Sequence, residues 1–567
     1  MRGAKSAKLV VGAIVVALAA TACGGSDGGK KKNNSAPVEK RTPYVNPKSA
    51  PDASPKKGGT FRLGLTEPAA IDPALAQESE GSLVVHQLFT GLYAAKPDGT
   101  LVPQLATEAK PNDKCTTWDF TVKTGTKFAN GEAVDAESFV RAWSRVAQKK
   151  TASDVAYHLS GIKGFKDTQG GKSDKLSGVT APKPDLLKVE LSAPDCGFNI
   201  KTVHGVFSPV PKVAGAGDNK AFNDAPIGNG PFKMAGKWEH NKSIKLVRND
   251  DSGIVKAHLD KVEISILNPN NGAQLETTGF QSGQFDWARM PVPQMPTLEK
   301  NFKPKNKWIE ADTSGMNFLM PVTDKGPLKS KEARQAVSYA IDRNAIANGV
   351  FKGMQYSSSN ILPPSFGDAY KAGQCETCVK QDKEKAKELA KKAKLGPGTK
   401  IELALNSGSG HEEWMQATAK QIEDVLGWKV ELKTLPFAQF LDDQQKPTAT
   451  GAYRFAWGAD YPTPDNFLYP LLSTDSINKD ETGKIVGDNR SRYSNPEFDK
   501  LLAQARETKD DAARNKLYVQ AEKMALDDQA LIPMFLRTQF RLANTDKFAG
   551  VNMDFFEDPT LAEISQR

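Results

Sequence analysis

Leu9–Ala20 is apolar apart from Gly12, and it lies between a cationic start (Arg2, Lys5, Lys8) and the small residues Ala20-Thr21-Ala22 that precede Cys23. A spanning helix needs about 18 to 20 apolar residues. This run is shorter, and a basic start, a short apolar core and a small-residue cut point together form a secretory signal. Export then sets the chemistry available to the rest of the chain. Five cysteines are present, an odd number for an exported protein. Setting Cys23 aside leaves Cys115, Cys196, Cys375 and Cys378, enough for two pairs. Cys115 precedes the alternating run Thr117–Val122, and Cys196 follows Leu187–Leu191. If those strands pair antiparallel, the start of one lies beside the end of the other, and a Cys115–Cys196 disulfide comes within reach. Cys375-Glu376-Thr377-Cys378 is a CxxC. Outside the cytosol it reads as a local Cys375–Cys378 disulfide, because zinc would want a second CxxC or paired histidines.

The first 23 residues resemble a bacterial lipoprotein signal, in which the cysteine at the cut is acylated and becomes the new N-terminus. The usual pattern has Leu three positions before the cysteine; here that residue is Ala20, with Leu18 two positions earlier. The resemblance implies a signal peptide over 1–22 and a lipid anchor at Cys23 that holds the mature chain, extracytoplasmic, to the cell membrane. Residues 24–57 are rich in Gly, Ser, Asn, Pro and Lys. Such a stretch cannot bury enough surface to fold, and as a coil it would span about 30 Å. Residues 23–57 are therefore expected to be a lipid-anchored flexible linker. Residues 1–57 hold eleven Lys/Arg against three Asp/Glu, an excess of eight out of the net +9. The remainder is close to neutral, so the basic balance is no argument for nucleic-acid binding.

The body from about Gly58 onward is too long for one ordinary core. Asp135 is an N-cap before the apolar stripe Ala136, Phe139, Val140, Trp143. Asp382 opens a helix with Ala386, Leu389, Ala390 and Ala393 on one face, and Gly396-Pro397 closes it. A strand at Ile401–Leu405, a helix carrying Trp414, Thr418, Ile422 and Val425, and a strand around Val430-Glu431-Leu432 follow. Asn495-Pro496 starts another helix, with Phe498, Leu501, Leu502 and Ala505 inward. Helices alternating with strands over 383–470 predict an α/β lobe. Residues 110–200 predict strands with packed helices.

Catalytic motifs fail on inspection. Gly170-Gly171-Lys172-Ser173 ends like a phosphate-binding loop, but the required first glycine falls at Lys166. Lys123-Thr124-Gly125 and Ser160-Gly161-Ile162-Lys163 echo a penicillin-binding enzyme in reversed order, without Ser-Asp-Asn. The six histidines form no HExxH, and there is no G-x-S-x-G. The expectation is a protein that is not an enzyme and needs no cofactor or metal.

Several segments in order resemble family 5 solute-binding proteins, the oligopeptide- and dipeptide-binding receptors of ABC importers. They are Gly58-Gly59-Thr60-Phe61-Arg62, Ile71-Asp72-Pro73, Leu88–Leu92, Trp118–Val122, Phe128–Phe139, Pro226–Phe232, Ala333–Ala336, Ala340–Arg343 and Tyr493–Pro496. Asn130 stands where family members usually have Asp. Most of these segments have structural readings. Asn130-Gly131 is a tight turn, Gly228–Pro231 is backbone punctuation, and Arg334 and Asp342 tie a helix to its neighbours. The resemblance implies an α/β, periplasmic-binding-protein-like fold of type II, cluster C: two lobes with an extra third domain. It places domain I at 58–92, 226–308 and 536–567, domain II at 93–225 and domain III at 309–535.

The resemblance also implies a site. In oligopeptide-binding relatives the aspartate of a Trp-x-Ala-Asp-Tyr segment holds the peptide α-ammonium, which carries over to Asp460 in Trp457-Gly458-Ala459-Asp460-Tyr461. A buried ligand cation needs such a fixed anion. Arg454 occupies the place of an arginine that some relatives use for the peptide carboxylate. Gly458 replaces a cysteine found in some relatives. Trp457 and Tyr461 are candidates to line the cleft. Glu80-Gly81-Ser82 matches the stretch that offers backbone hydrogen bonds from the opposite lobe, where an extended ligand would add as a strand. The implied role is capture of oligopeptides between the lobes by a monomer, which delivers them to a membrane permease with its ATPase subunits. Some family members bind an oligosaccharide, a metal chelate or haem instead.

Overall fold

The computed structural model describes residues 44–567 apart from 270, 408 and 409; the signal, Cys23 and the linker up to residue 43 lie outside the described residues. Eleven strands form one mixed sheet. From one edge its order is Lys429–Leu435, Lys400–Asn406, Ala452–Gly458, Trp308–Pro321, Ile532–Ala543, Trp287–Ala288, Thr60–Thr66, Lys261–Leu267, Ser243–Arg248 and Phe232–Met234. Tyr356–Ser357 pairs separately with Ile532–Ala543. Toward each end lies a parallel pair, Thr60↔Lys261 in one and Lys400↔Lys429 in the other; the helix Glu412–Leu426 joins the second, and residues 67–260, with a separate four-stranded sheet, join the first.

At the centre, Trp308–Pro321 (14 residues) and Ile532–Ala543 (12 residues) run antiparallel. Each passes from one hydrophobic core into another. Ile309 and Ala543 belong to a core with Phe61, Phe120, Trp143, Phe207 and Ile244. Met316, Phe318 and Leu536 belong to a second, with Tyr453, Phe467, Phe498 and Tyr518. Cores on either side of the crossing, joined by continuous strands, make a two-lobed body; Leu319 and Phe535 add to a third cluster and Trp308 and Phe540 to a fourth. The strands slip register between Asp312↔Thr538 and Met316↔Leu536. The slip is held by Thr313, whose Oγ1 donates to Arg537 O at 2.5 Å and accepts from Gly315 N at 3.1 Å. Extra residues on one strand bend it and sharpen its twist. The boundaries expected at 308/309 and 535/536 therefore fall within continuous strands.

The predicted local elements form. Asp135 caps Ala136–Ala147 in a full capping box, Asp382 caps Lys383–Lys392, and Asn495 caps Pro496–Glu507. The 110–200 region is a four-stranded antiparallel sheet. In it Thr117 faces Glu190 across the Thr117–Val122 and Leu186–Glu190 pair. That register brings the Cys115 and Cys196 Cα atoms to 5.0 Å, and the two are disulfide-bonded. Cys375 and Cys378 are likewise joined. Among the described residues no helix is long and apolar enough to cross a membrane.

Two expectations change. Residues 44–57, read as the end of the linker, pack on the body. Asn46 is buried, and its amide donates to Asn306 O (2.6 Å) and Trp308 O (3.0 Å). Gly550 N donates to Ala50 O at 3.1 Å, and Lys48 pairs with Asp546. Polar side chains that hydrogen-bond the body order a segment whose composition alone supplies no apolar surface. The Gly228–Pro231 stretch is also more than punctuation. Asn229 is buried, donating to Thr90 O and accepting from Thr90 N, both at 3.0 Å. A Cβ at Gly228 would meet Leu88 O at 1.7 Å, so glycine is needed for close approach rather than for a positive φ.

Asp72 of the Ile71-Asp72-Pro73 segment is fully buried and takes both arms of the Arg145 guanidinium, at 2.8 and 2.5 Å. Asp72→Ala leaves that guanidinium buried without its partner. We expect a loss of about 3–5 kcal/mol in unfolding free energy, measured by urea denaturation.

Candidate functional site

The strand Ala452–Gly458 pairs antiparallel with the central strand, Gly458 opposite Gly315, and so ends at the bulge. The chain then turns toward the helix Asp465–Leu472. Asn466 clamps that turn: its Oδ1 accepts from Asp460 N at 3.0 Å, its Nδ2 donates to Asp460 Oδ2 at 3.1 Å, and its backbone carbonyl accepts from Trp457 Nε1 at 2.9 Å. Asp460 is thereby fixed in backbone and side chain. From the other core comes the helix Ser79–Leu88, with Glu78 as its N-cap. Glu78 Oε2 accepts from Gly81 N and Oε1 from Ala69 N, both at 2.7 Å.

A cavity of about 150 Å³ lies where these elements meet. Its walls include Glu78 and Ser82 from the N-terminal side, Gly458 and Asp460 from the far side, Ser314 and Arg537 from the bulge, and the Phe555–Asp558 turn. The wall is largely acidic. Burial pushes the Asp460 carboxyl up to about 6, against the lowering hydrogen bond from Asn466 and with added repulsion from Asp488. Burial raises Glu78 as well, its backbone hydrogen bonds opposing. Glu557 pairs with Arg537 at 3.1 Å. Burial holds the cavity-lining imidazoles His86 and His204 neutral, the latter pushed down to about 3.

His158, His204 and Asp460 also converge, with one potential ligand atom from each lying within 4.8 Å of the others. His204 Nδ1, however, accepts from Val206 N at 3.2 Å. That puts the proton of the neutral ring on Nε2, so no lone pair remains for a metal ion. The imidazole offers a donor instead.

Three of the sequence-predicted residues, Ser82, Gly458 and Asp460, line the cavity. The others are not among its lining residues. Glu80 accepts from Thr66 Oγ1 at 2.6 Å and sits 3.8 Å from Arg289. Gly81 presses against Ala70 O, where a Cβ would come within 2.1 Å. Arg454 donates to Asn406 Oδ1 at 3.0 Å and lies over the Phe440 ring. Trp457 is tied to Asn466, and Tyr461 is buried beside Lys201. The sequence reading missed Glu78, His86, His204, Arg537 and Phe555–Asp558. Of these, only Phe555-Phe556-Glu557-Asp558 carried a signal, two aromatics followed by two acids.

Behind the cavity the cores meet again through charge. Lys201 Nζ lies 2.6 Å from Asp195 and 3.4 Å from Asp465, and Asp465 also takes two bonds from Arg506, both 2.8 Å. The Lys201 ammonium is held above its ordinary range by those two carboxylates, which outweigh its burial. Lys201→Met leaves two carboxylates sharing one arginine. A loss of about 3 kcal/mol in unfolding free energy is expected by chemical denaturation, larger than for any of the exposed lysine pairs.

Residues 100–479 match the family described as bacterial extracellular solute-binding proteins, family 5 Middle. The oligopeptide-binding protein OppA of Bacillus subtilis is 31% identical over 489 residues, 83% of this chain and 86% of that protein. The periplasmic murein peptide-binding protein MppA of Escherichia coli is 29% identical over 500 residues, 84% of this chain and 87% of that protein. Among solved structures, the unliganded open form of MppA superposes with a TM-score of 0.75 at 27% identity, covering 91% of this chain and 98% of that one. The clavulanic acid biosynthesis oligopeptide binding protein 2 gives a TM-score of 0.80 at 20% identity, covering 91% and 96%, a likeness of fold. With two cores, the bulged crossing and a matching segment over most of its length, the chain belongs to family 5 of the bacterial extracellular solute-binding proteins.

Proposed function

We propose that this protein is the receptor of an ABC importer, capturing oligopeptides between its lobes and delivering them to a membrane permease driven by partner ATPases. The carrying observation is Asp460. Its carboxyl is fixed by Asn466 at the wall of the cavity, and burial keeps it partly protonated near neutrality for want of a cation. A peptide α-ammonium supplies that cation, in a charge-assisted hydrogen bond that contributes roughly 1.5–3 kcal/mol. Relatives described as oligopeptide- and murein-peptide-binding support the same ligand class. Main-chain pairing along the cleft gives affinity without reading side chains, which suits a mixed pool of peptides.

Calorimetry with tri- to pentapeptides tests this. N-acetylation, or Asp460→Asn, is expected to weaken binding at least about tenfold; equal affinity for acetylated and free peptides removes the Asp460 role. Affinity is also expected to rise with pH through about 6, as Asp460 ionises. It then falls near pH 8, as the α-amine loses its proton. Mass spectrometry of protein taken from its own host gives the ligand directly: an oligosaccharide, haem or metal complex with no peptide would replace the peptide reading.

We infer further that Cys23 carries the lipid that keeps the receptor near its permease. Cys23→Ser is expected to move the protein from the membrane fraction to the medium; unchanged membrane association would discard the anchor while leaving the binding role intact.

A further inference from the structure

The cavity wall carries more acidic groups than one α-ammonium would engage. Four carboxylates line it, from Glu78, Asp460, Glu557 and Asp558, against Arg537 as the one Lys or Arg side chain among the described lining residues. Arg537 is committed to Glu557, and both Glu78 oxygens accept backbone amides. On the peptide reading, Asp460 takes the α-ammonium. Asp558 remains. It is 6% exposed, and its Oδ2 has no hydrogen-bond donor among the described residues. His86 Nδ1 lies 3.5 Å from it, an atom that also lacks a hydrogen-bond partner among the described residues.

The turn that presents Asp558 is held with care. Asp554 Oδ1 accepts from Phe556 N at 2.9 Å and from Asp558 N at 3.0 Å. Glu557 between them sits at φ 70°, a left-handed conformation that side-chain-bearing residues adopt rarely and at some cost. Phe556 stacks on His86, ring centroids 4.4 Å apart, and closes one side. Burial, with Glu557 and Glu80 nearby, raises the Asp558 carboxyl well above its usual range despite Arg541. A cation beside it would offset that penalty.

We propose that Asp558 forms a second cation subsite in the same cavity as Asp460, taking a basic side chain of the peptide's first or second residue, so that this receptor favours peptides with two positive charges near the N-terminus. The proposal rests on the peptide-receptor reading. Asp460 and Asp558 line one cavity of about 150 Å³, so the two cations they take belong to neighbouring positions of the ligand. That confines the second charge to the first two residues.

The test is calorimetry at low ionic strength with Lys-Ala-Ala and Ala-Lys-Ala, each against its norleucine counterpart, which keeps the stem and removes the charge. At least one lysine peptide is expected to bind about tenfold or more tightly than its counterpart. In Asp558→Asn that ratio is expected to fall below about threefold. A ratio below threefold in the native protein overturns the subsite without recourse to any variant, and a tenfold ratio that survives Asp558→Asn overturns its assignment to Asp558. If the norleucine peptides bind and lysine adds nothing, the peptide receptor stands and the subsite falls. If neither these tripeptides nor the tetra- and pentapeptides bind, the peptide reading falls and takes the subsite with it.

Discussion

The antiparallel pairing of Trp308–Pro321 with Ile532–Ala543 is the constraint on which the rest of the structure depends. These strands belong to both cores at once. A break in their pairing would separate the lobes, while a perfect ladder would weld them. The register slip at Asp312–Met316 gives neither. It lies where Ser314, Gly458 and Arg537 reach the cavity wall. Rotation about such a point would change the cavity first and the two cores least, because packed interiors transmit strain rather than absorb it.

Charge is used in two distinct ways around that crossing. Asp72–Arg145 and the Asp195–Lys201–Asp465–Arg506 cluster are internally matched, each carboxylate meeting a guanidinium or ammonium. Such pairs are costly to break and fix geometry more than they add stability. The cavity acids differ. Asp460 and Asp558 are held by amides and turns rather than by cations, and burial raises both. Perturbed carboxyls in a cleft are the ordinary mark of a working site.

What was legible in the sequence follows from how local each signal is. The helix at Ala136–Ala147 was readable because its cap, stripe and capping box lie within twelve consecutive residues. The Cys115–Cys196 pairing was readable because two alternating runs imply their own neighbour. Asp460 came from a resemblance, and its local motif survives as a clamp made with Asn466 six residues on. Asp558, His86 and Arg537 were illegible because nothing in their own segments points to one another: they meet through the packing of remote chain segments. Arg454 and Trp457 sit in the right segment, and their side chains hydrogen-bond Asn406 and Asn466.

The stitching of residues 46–50 has a mechanical meaning. Asn46 hydrogen-bonds to Asn306 and Trp308, Ala50 to Gly550, Ser49 to Asn552, and Lys48 to the C-terminal Arg567. The point at which the N-terminal stretch joins the body is thus riveted to the same lobe that carries the chain's other end. A pull arriving through residue 44 would be borne by that lobe and its C-terminal turns, not by the bulged crossing. The lobe bearing Asp460 lies on the far side of the crossing, outside that load path.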